Sequence, residues 1–196
     1  LQTFIKEKVT EKHIPIMSNN VAIDMTKVVH VAISGSSGAG KTHFVKYLIH
    51  RLKSITNQII CIDPKLSDIY LLAKELNLEV FSPKLGSNLN SFITEVNELL
   101  GGIINKIYER QELLLEKPDR QFERIYIVID ELLALVQGSS KQAREAFSQL
   151  LGTIALLGRQ TNIRLILLGQ RFDATAFGGN TAVREQINCI FILGEI

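Results

Sequence analysis

Short continuous apolar runs alternate along the chain with longer segments whose apolar residues recur every three or four positions, which predicts buried parallel strands joined by amphipathic helices. Val28, Val29, Val31, Ala32 and Ile33 make the first clear strand, and Phe44, Val45, Leu48, Ile49 and Leu52 follow at helical spacing. Residues 58–62 (QIICI) form a second buried strand, and 66–76 read as a helix for which Asp63 is the cap and Pro64 the first position. Residues 79–81 read as a short strand. Between 90 and 117 the apolar row Phe92, Ile93, Val96, Leu99, Leu100, Ile103, Ile104 and Ile107 is interrupted by Gly101-Gly102, so one bent helix or two helices fit equally. Residues 124–130 (RIYIVID) and 163–168 (IRLILL) are further buried strands. The helix 141–157 between them turns Ala143, Ala146, Phe147, Leu150, Leu151 and Ile154 inward. A glycine-rich loop at 172–181 and a short helical turn lead to a final strand at 188–193. The first 27 residues are mixed and predict a short helix followed by a hairpin or extended segment. The division expected is an N-terminal segment, 1–27, and one α/β domain, 28–196.

The turn after the first strand carries the most specific chemistry. Gly35-Ser36-Ser37-Gly38-Ala39-Gly40-Lys41-Thr42 satisfies every fixed position of G-x-x-x-x-G-K-[ST], between a strand and a helix as the P-loop requires. Phosphate oxygens must approach backbone N–H groups closely, which glycine permits, and the helix N-terminus adds its positive dipole end. These residues predict a nucleotide triphosphate cradle in which Lys41 reaches the β- and γ-phosphates and the Thr42 hydroxyl ligates Mg²⁺.

The strand at 124–130 delivers Asp130 and then Glu131 at its carboxyl end, where ligands bind in open α/β sheets. Asp130 suits the Walker B role of organising Mg²⁺. Glu131 suits activation of the attacking water, which needs a carboxylate that is not engaged by the metal. Gln170, at the tip of the strand that follows, is a candidate γ-phosphate sensor, and Arg171 beside it is a candidate for phosphate, DNA or solvent.

Composition narrows the alternatives. The 196 residues are 46% hydrophobic, enough for one substantial core, and the net charge of +2 gives no basic footprint on which to argue nucleic-acid binding. Cys61 and Cys189 sit in strand-like runs outside any C-x-x-C pattern, and the four histidines lack metal-ligand spacing, so buried thiols and no metal beyond a nucleotide-bound Mg²⁺ are expected. No apolar run approaches the roughly 18 residues that span a bilayer, so a soluble piece is expected. No signal peptide is visible. A start at Leu1 and an end directly after a strand suggest a fragment of a longer protein.

GSSGAGKT, CIDPK at 61–65, VIDEL at 128–132 and GRQTNIRLILLGQR at 158–171 together resemble the motor domain of the FtsK/SpoIIIE/HerA ATPases, in register from about residue 28 to the end. Conjugative coupling proteins of Gram-positive mobile elements are the most similar subgroup. The resemblance implies a RecA-like core with an additional strand between Walker A and Walker B, ATP hydrolysis, a hexameric ring and double-stranded DNA as cargo. It also implies a place at the cytoplasmic face, with membrane contact only through segments outside this chain. Arg159 matches an arginine that reaches a neighbouring subunit's nucleotide in relatives, with Arg110 second in line. The loop after GQR departs from the DNA-pumping pattern: Phe172 stands for a proline and Ala182 for a lysine, leaving Arg171 and Arg184 as the DNA-contact candidates. Two other readings stand beside this one: a protein-translocating ATPase of a type VII secretion system, and a nucleotide-binding assembly module with little hydrolysis.

Overall fold

In the computed structural model, which describes residues 13–17, 21–170 and 182–194, a small antiparallel hairpin precedes the main sheet. The hairpin consists of β1 (His13–Met17) and β2 (Val21–Asp24). The main sheet is built from β3 (Val31–Gly35), β4 (Ile59–Ile62), β5 (Glu79–Phe81), β6 (Ile125–Ile129), β7 (Ile163–Gly169) and β8 (Cys189–Leu193). Its order is β5-β4-β6-β7-β3-β8 and every pair is parallel. β7 is the additional strand: it pairs with β3 on one side and β6 on the other, separating the P-loop strand from the strand that carries Asp130.

Every residue of β4, β6 and β7 is buried, which is why these strands read as unbroken apolar runs. The pleat divides them between two cores. Ile125, Ile127, Ile129, Leu165 and Leu167 face Phe92, Val96 and Ile107 of α3 (Leu89–Glu116) and Phe147, Leu151 and Ile154 of α5 (Lys141–Leu157). Tyr126, Val128, Ile166 and Leu168 share the other core with Val45, Leu48 and Ile49 of α1 (Lys41–Lys53) and Ile69 and Leu72 of α2 (Asp68–Glu75). Two short helices, α4 (Leu132–Val136) and α6 (Ala182–Gln186), complete the described elements. Ile14 of the hairpin and Met25 beyond it are buried in the second core, and Tyr47 Oη donates to the Pro15 carbonyl at 2.5 Å. The predicted helix at the start of the chain lies outside the described residues. Among those described, no helix is long and apolar enough to cross a membrane.

The structure settles one choice that the sequence leaves open and corrects one expectation. Residues 89–116 form one unbroken helix, because the buried row from Phe92 to Ile107 runs straight past Gly101 and Gly102, and a Cβ at either glycine would meet nothing within 4 Å. Tertiary packing here outweighs the local propensity cost of two glycines. The helix expected to start beside Pro64 begins instead at Asp68, with Ser67 as its N-cap, because Leu66 adopts φ 53° and turns the chain first.

His30, just before β3, ties three elements together. Its Nε2–H donates to the Ala155 carbonyl at 2.9 Å, and the Leu165 N–H donates to its Nδ1 at 2.9 Å. With the ring fully buried and both nitrogens engaged, burial pushes its pKa down from 6.5 to about 4, with the Arg164 charge adding to the effect and the bond to Ala155 opposing it. The unfolded chain therefore binds a proton that the folded chain refuses between those values. Stability contributed by neutral His30 should be complete above pH 6.5 and lost as pH falls toward 4, by on the order of 3 kcal/mol. Urea unfolding at a series of pH values should show this decline in the native chain and a shallower one in His30→Gln.

Candidate functional site

Because all six strands run the same way, whatever follows them gathers along one edge of the sheet. In spatial order this edge carries Asp63 after β4, Asp130-Glu131 after β6, Gln170 after β7 and the P-loop after β3. Two strand spacings, about 10 Å, separate the Asp130 strand from the P-loop strand.

The P-loop glycines do different work. Gly38 and Gly40 take φ 84° and 79° with open space where a Cβ would be, so they give the loop its left-handed turns. At Gly35 a Cβ would lie 2.5 Å from the Leu193 carbonyl oxygen, so this glycine permits the close approach of β8. α1 starts with no side-chain cap and no acidic residue in its first turn, leaving its N-terminal N–H groups and dipole uncompensated, as an anion site requires. The Lys41 ammonium lies over the loop, donating to the carbonyls of Gly35 and Ser36. Ser34 Oγ donates to the Gln170 carbonyl at 3.1 Å, joining the tip of β7 to the base of the loop, and the Gln170 side chain is exposed there.

Three carboxylates crowd the neighbouring strand ends. Asp63 is fully buried and accepts from the N–H groups of Lys65, Ser67 and Tyr70 at 2.9, 2.7 and 3.0 Å, so it caps α2 from outside the helix. Ser67 Oγ lies 2.8 Å from Asp63 Oδ2 and 2.9 Å from Asp130 Oδ2, bridging the two. Burial is the main force pushing the Asp130 pKa up; the Ser67 hydroxyl opposes it, and the charges of Asp63 and Glu131 add to it. A divalent cation would reverse that balance, which is how the donor set here fits Mg²⁺. Among the described residues no cluster of three or more His, Cys, Asp or Glu side chains is arranged to hold a metal by itself.

Glu131 adopts φ 45° and ψ 58°, a left-handed conformation that costs a non-glycine residue about 1–3 kcal/mol and that the surrounding fold must enforce. Its carboxylate accepts from Lys65 Nζ at 2.8 Å. Asp63, Lys65 and Ser67 were not among the sequence candidates. The CIDPK stretch was the available signal for the first two, and nothing local marked Ser67.

The arginines sort differently. Arg110 is buried; its Nη1 donates to the carbonyls of Glu123 and Thr161 at 3.0 and 2.6 Å, and its guanidinium lies 5.0 Å over the Phe122 ring, so it is committed to the fold. Arg159 is exposed and precedes β7, a full strand of roughly 20 Å from its own P-loop edge. Arg184 is exposed on α6, and Arg171 lies outside the described residues.

A glycine-cradled helix N-terminus and an acidic strand end separated by one inserted parallel strand define a RecA-like P-loop NTPase core. Residues 13–146 match the family described as "Helicase HerA, central domain", and the chain belongs to that family. It is 23% identical over 195 residues to the FtsK domain-containing protein YdcQ of Bacillus subtilis, covering 97% of this chain and 39% of that protein. It is 26% identical over 168 residues to the DNA translocase FtsK of Campylobacter jejuni (strain 81-176), covering 80% of this chain and 17% of FtsK. Among solved structures, the pCW3 conjugation coupling protein TcpA, a monomer form with ATPγS, superposes with a TM-score of 0.75 at 21% identity over 94% of this chain and 55% of that one. The chain thus spans well under half the length of these two curated relatives.

Removing the Asp63 carboxylate strands two helix-start N–H groups and frees Ser67. Asp63→Ala should lower unfolding stability by about 2 kcal/mol, with Ser67→Ala costing less. Urea titration followed by circular dichroism measures both.

Proposed function

We propose that this chain is the ATP-hydrolysing motor domain of a DNA translocase, of the conjugative-coupling type, and that it works at the cytoplasmic face as part of a homo-oligomeric ring, most simply a hexamer. The observation that carries this reading is the common edge that brings Lys41, Thr42, Asp130, Glu131 and Gln170 together from three separate strand ends. The DNA cargo is supported by the names of the relatives, a DNA translocase and a conjugation coupling protein.

In this reading Gly35 to Thr42 hold ATP by backbone N–H groups and the α1 dipole, and Lys41 exchanges its loop carbonyls for phosphate oxygens. Thr42 and Asp130 would hold Mg²⁺, which would supply charge neutralisation to the bound phosphates. Glu131 takes the proton of the attacking water. Lys65, donating to the same carboxylate, keeps it from turning toward Asp130 and so leaves one carboxylate for the metal and one for the base. Gln170 reports the γ-phosphate to β7. Arg159, too far from its own P-loop, serves the nucleotide of a neighbouring copy. Arg171 and Arg184 are the proposed DNA contacts.

Steady-state hydrolysis and nucleotide binding test these roles together. Glu131→Gln should keep ATPγS affinity while kcat falls about 10²- to 10⁴-fold, whereas Lys41→Ala should weaken nucleotide binding itself. Double-stranded DNA should stimulate hydrolysis by the native chain at high protein concentration. Turnover that is normal in Glu131→Gln would refute its role as base, and turnover indifferent to DNA would shift the cargo toward protein.

A further inference from the structure

The amino end of the sheet, opposite the P-loop edge, holds a cleft of about 750 Å³ whose chemistry is the inverse of the carboxylate cluster. The loop entering β6 contributes Arg120 and Arg124, and the loop and first turn of β7 contribute Arg159 and Arg164. No Asp or Glu lines it. Among the described residues, none of the four arginines makes an ion pair. Glu123, the acid between Arg120 and Arg124 and β6, is turned away: its carboxylate accepts from Thr56 Oγ1 at 2.8 Å and Gln58 Nε2 at 2.6 Å.

The arginines are anchored on neutral groups that fix their direction and leave their charge. Arg124 Nη1 donates to the Met25 carbonyl at 3.2 Å. Arg164 donates to the Val28 carbonyl and, at 3.1 Å, to Asn162 Oδ1. The Arg120 guanidinium lies 6.0 Å over the Phe122 ring, whose position Arg110 also holds. Arg164 is only 7% exposed, yet its Nε–H has no partner within the fold. Burial is the main force lowering its pKa; Tyr126 opposes it, and the positive charges of Arg124 and Arg159 add to it. Like charges gathered in a cleft that no carboxylate lines favour an anion bound there. The cleft lies in the size range of small-molecule sites, and planar guanidiniums match phosphate oxygens in pairs.

We propose that this cleft is a second phosphate-binding site, separate from the P-loop, which takes the polyphosphate of a nucleotide either free in solution or carried on the P-loop of a second copy of the chain. The second source rests on the trans role of Arg159 proposed above and widens it from one side chain to a receptor of four; the first source does not need that role.

Calorimetric titration of tripolyphosphate into Lys41→Ala weakens the competing P-loop and leaves the cleft intact. One tripolyphosphate should bind per chain, and adding Arg120→Ala and Arg124→Ala should weaken it roughly tenfold or more. Arg120→Lys with Arg124→Lys, which keeps the charge, should bind between the two, and circular dichroism checks that every variant is folded. Sedimentation distinguishes the sources. If the phosphate comes from a second copy, ATPγS drives self-association of the native chain but not of the Arg120→Ala, Arg124→Ala variant. If it comes from solution, tripolyphosphate binds Lys41→Ala chains that sediment as monomers. The proposal is overturned if the arginine substitutions change neither tripolyphosphate binding nor ATPγS-driven association. ATPγS affinity at the P-loop, measured separately on the cleft variant, shows whether the nucleotide reading itself has failed.

Discussion

The placement of β7 between β3 and β6 is the constraint on which the site depends. Parallel pairing puts the carboxyl ends of all the strands on one edge, and one inserted strand opens about 10 Å between the P-loop strand and the strand that ends in Asp130. That gap is held by burial as much as by hydrogen bonds. Ile127 and Ile129 face one core while Tyr126 and Val128 face the other, so a one-residue slip of β6 would exchange both sets and move Asp130 along the edge. The apolar register therefore positions the polar chemistry.

Along that edge the fold keeps three acidic side chains close together, and each has its own restraint. Asp63 is held by backbone N–H groups at the start of α2, Asp130 by the Ser67 hydroxyl, and Glu131 by Lys65. The left-handed backbone at Glu131 turns its side chain away from the path that β6 would otherwise impose, toward the turn that carries Lys65. Two adjacent carboxylates thereby acquire different surroundings, which is the condition for giving one to a metal and the other to a proton.

The two ends of the sheet are opposite in charge character. Carboxylates and a bare helix N-terminus occupy the carboxyl edge; uncompensated guanidiniums occupy the amino edge. Arg110 organises the second without belonging to it, since its contacts with Glu123, Thr161 and Phe122 hold together the loops that present Arg120, Arg124 and Arg159.

The amino-acid sequence by itself determined the strands, the long helices, the P-loop and the acidic strand end, because each is a local pattern: a period, a glycine spacing, a residue at the end of an apolar run. It also put Gln170 directly after the apolar run 163–168, at the end of β7. What only the tertiary structure decided were contacts between residues far apart in the chain. Lys65 meets Glu131 across 66 positions, and Arg110 reaches Thr161 across 51. The continuity of α3 through two glycines was likewise decided by the core it packs against, and the start of α2 by the turn at Leu66. The four-arginine cleft arises because parallel pairing brings the starts of β6 and β7 side by side. A sequence records which side chains exist, but their electrostatic surroundings are set by neighbours that only sheet order and packing bring within reach.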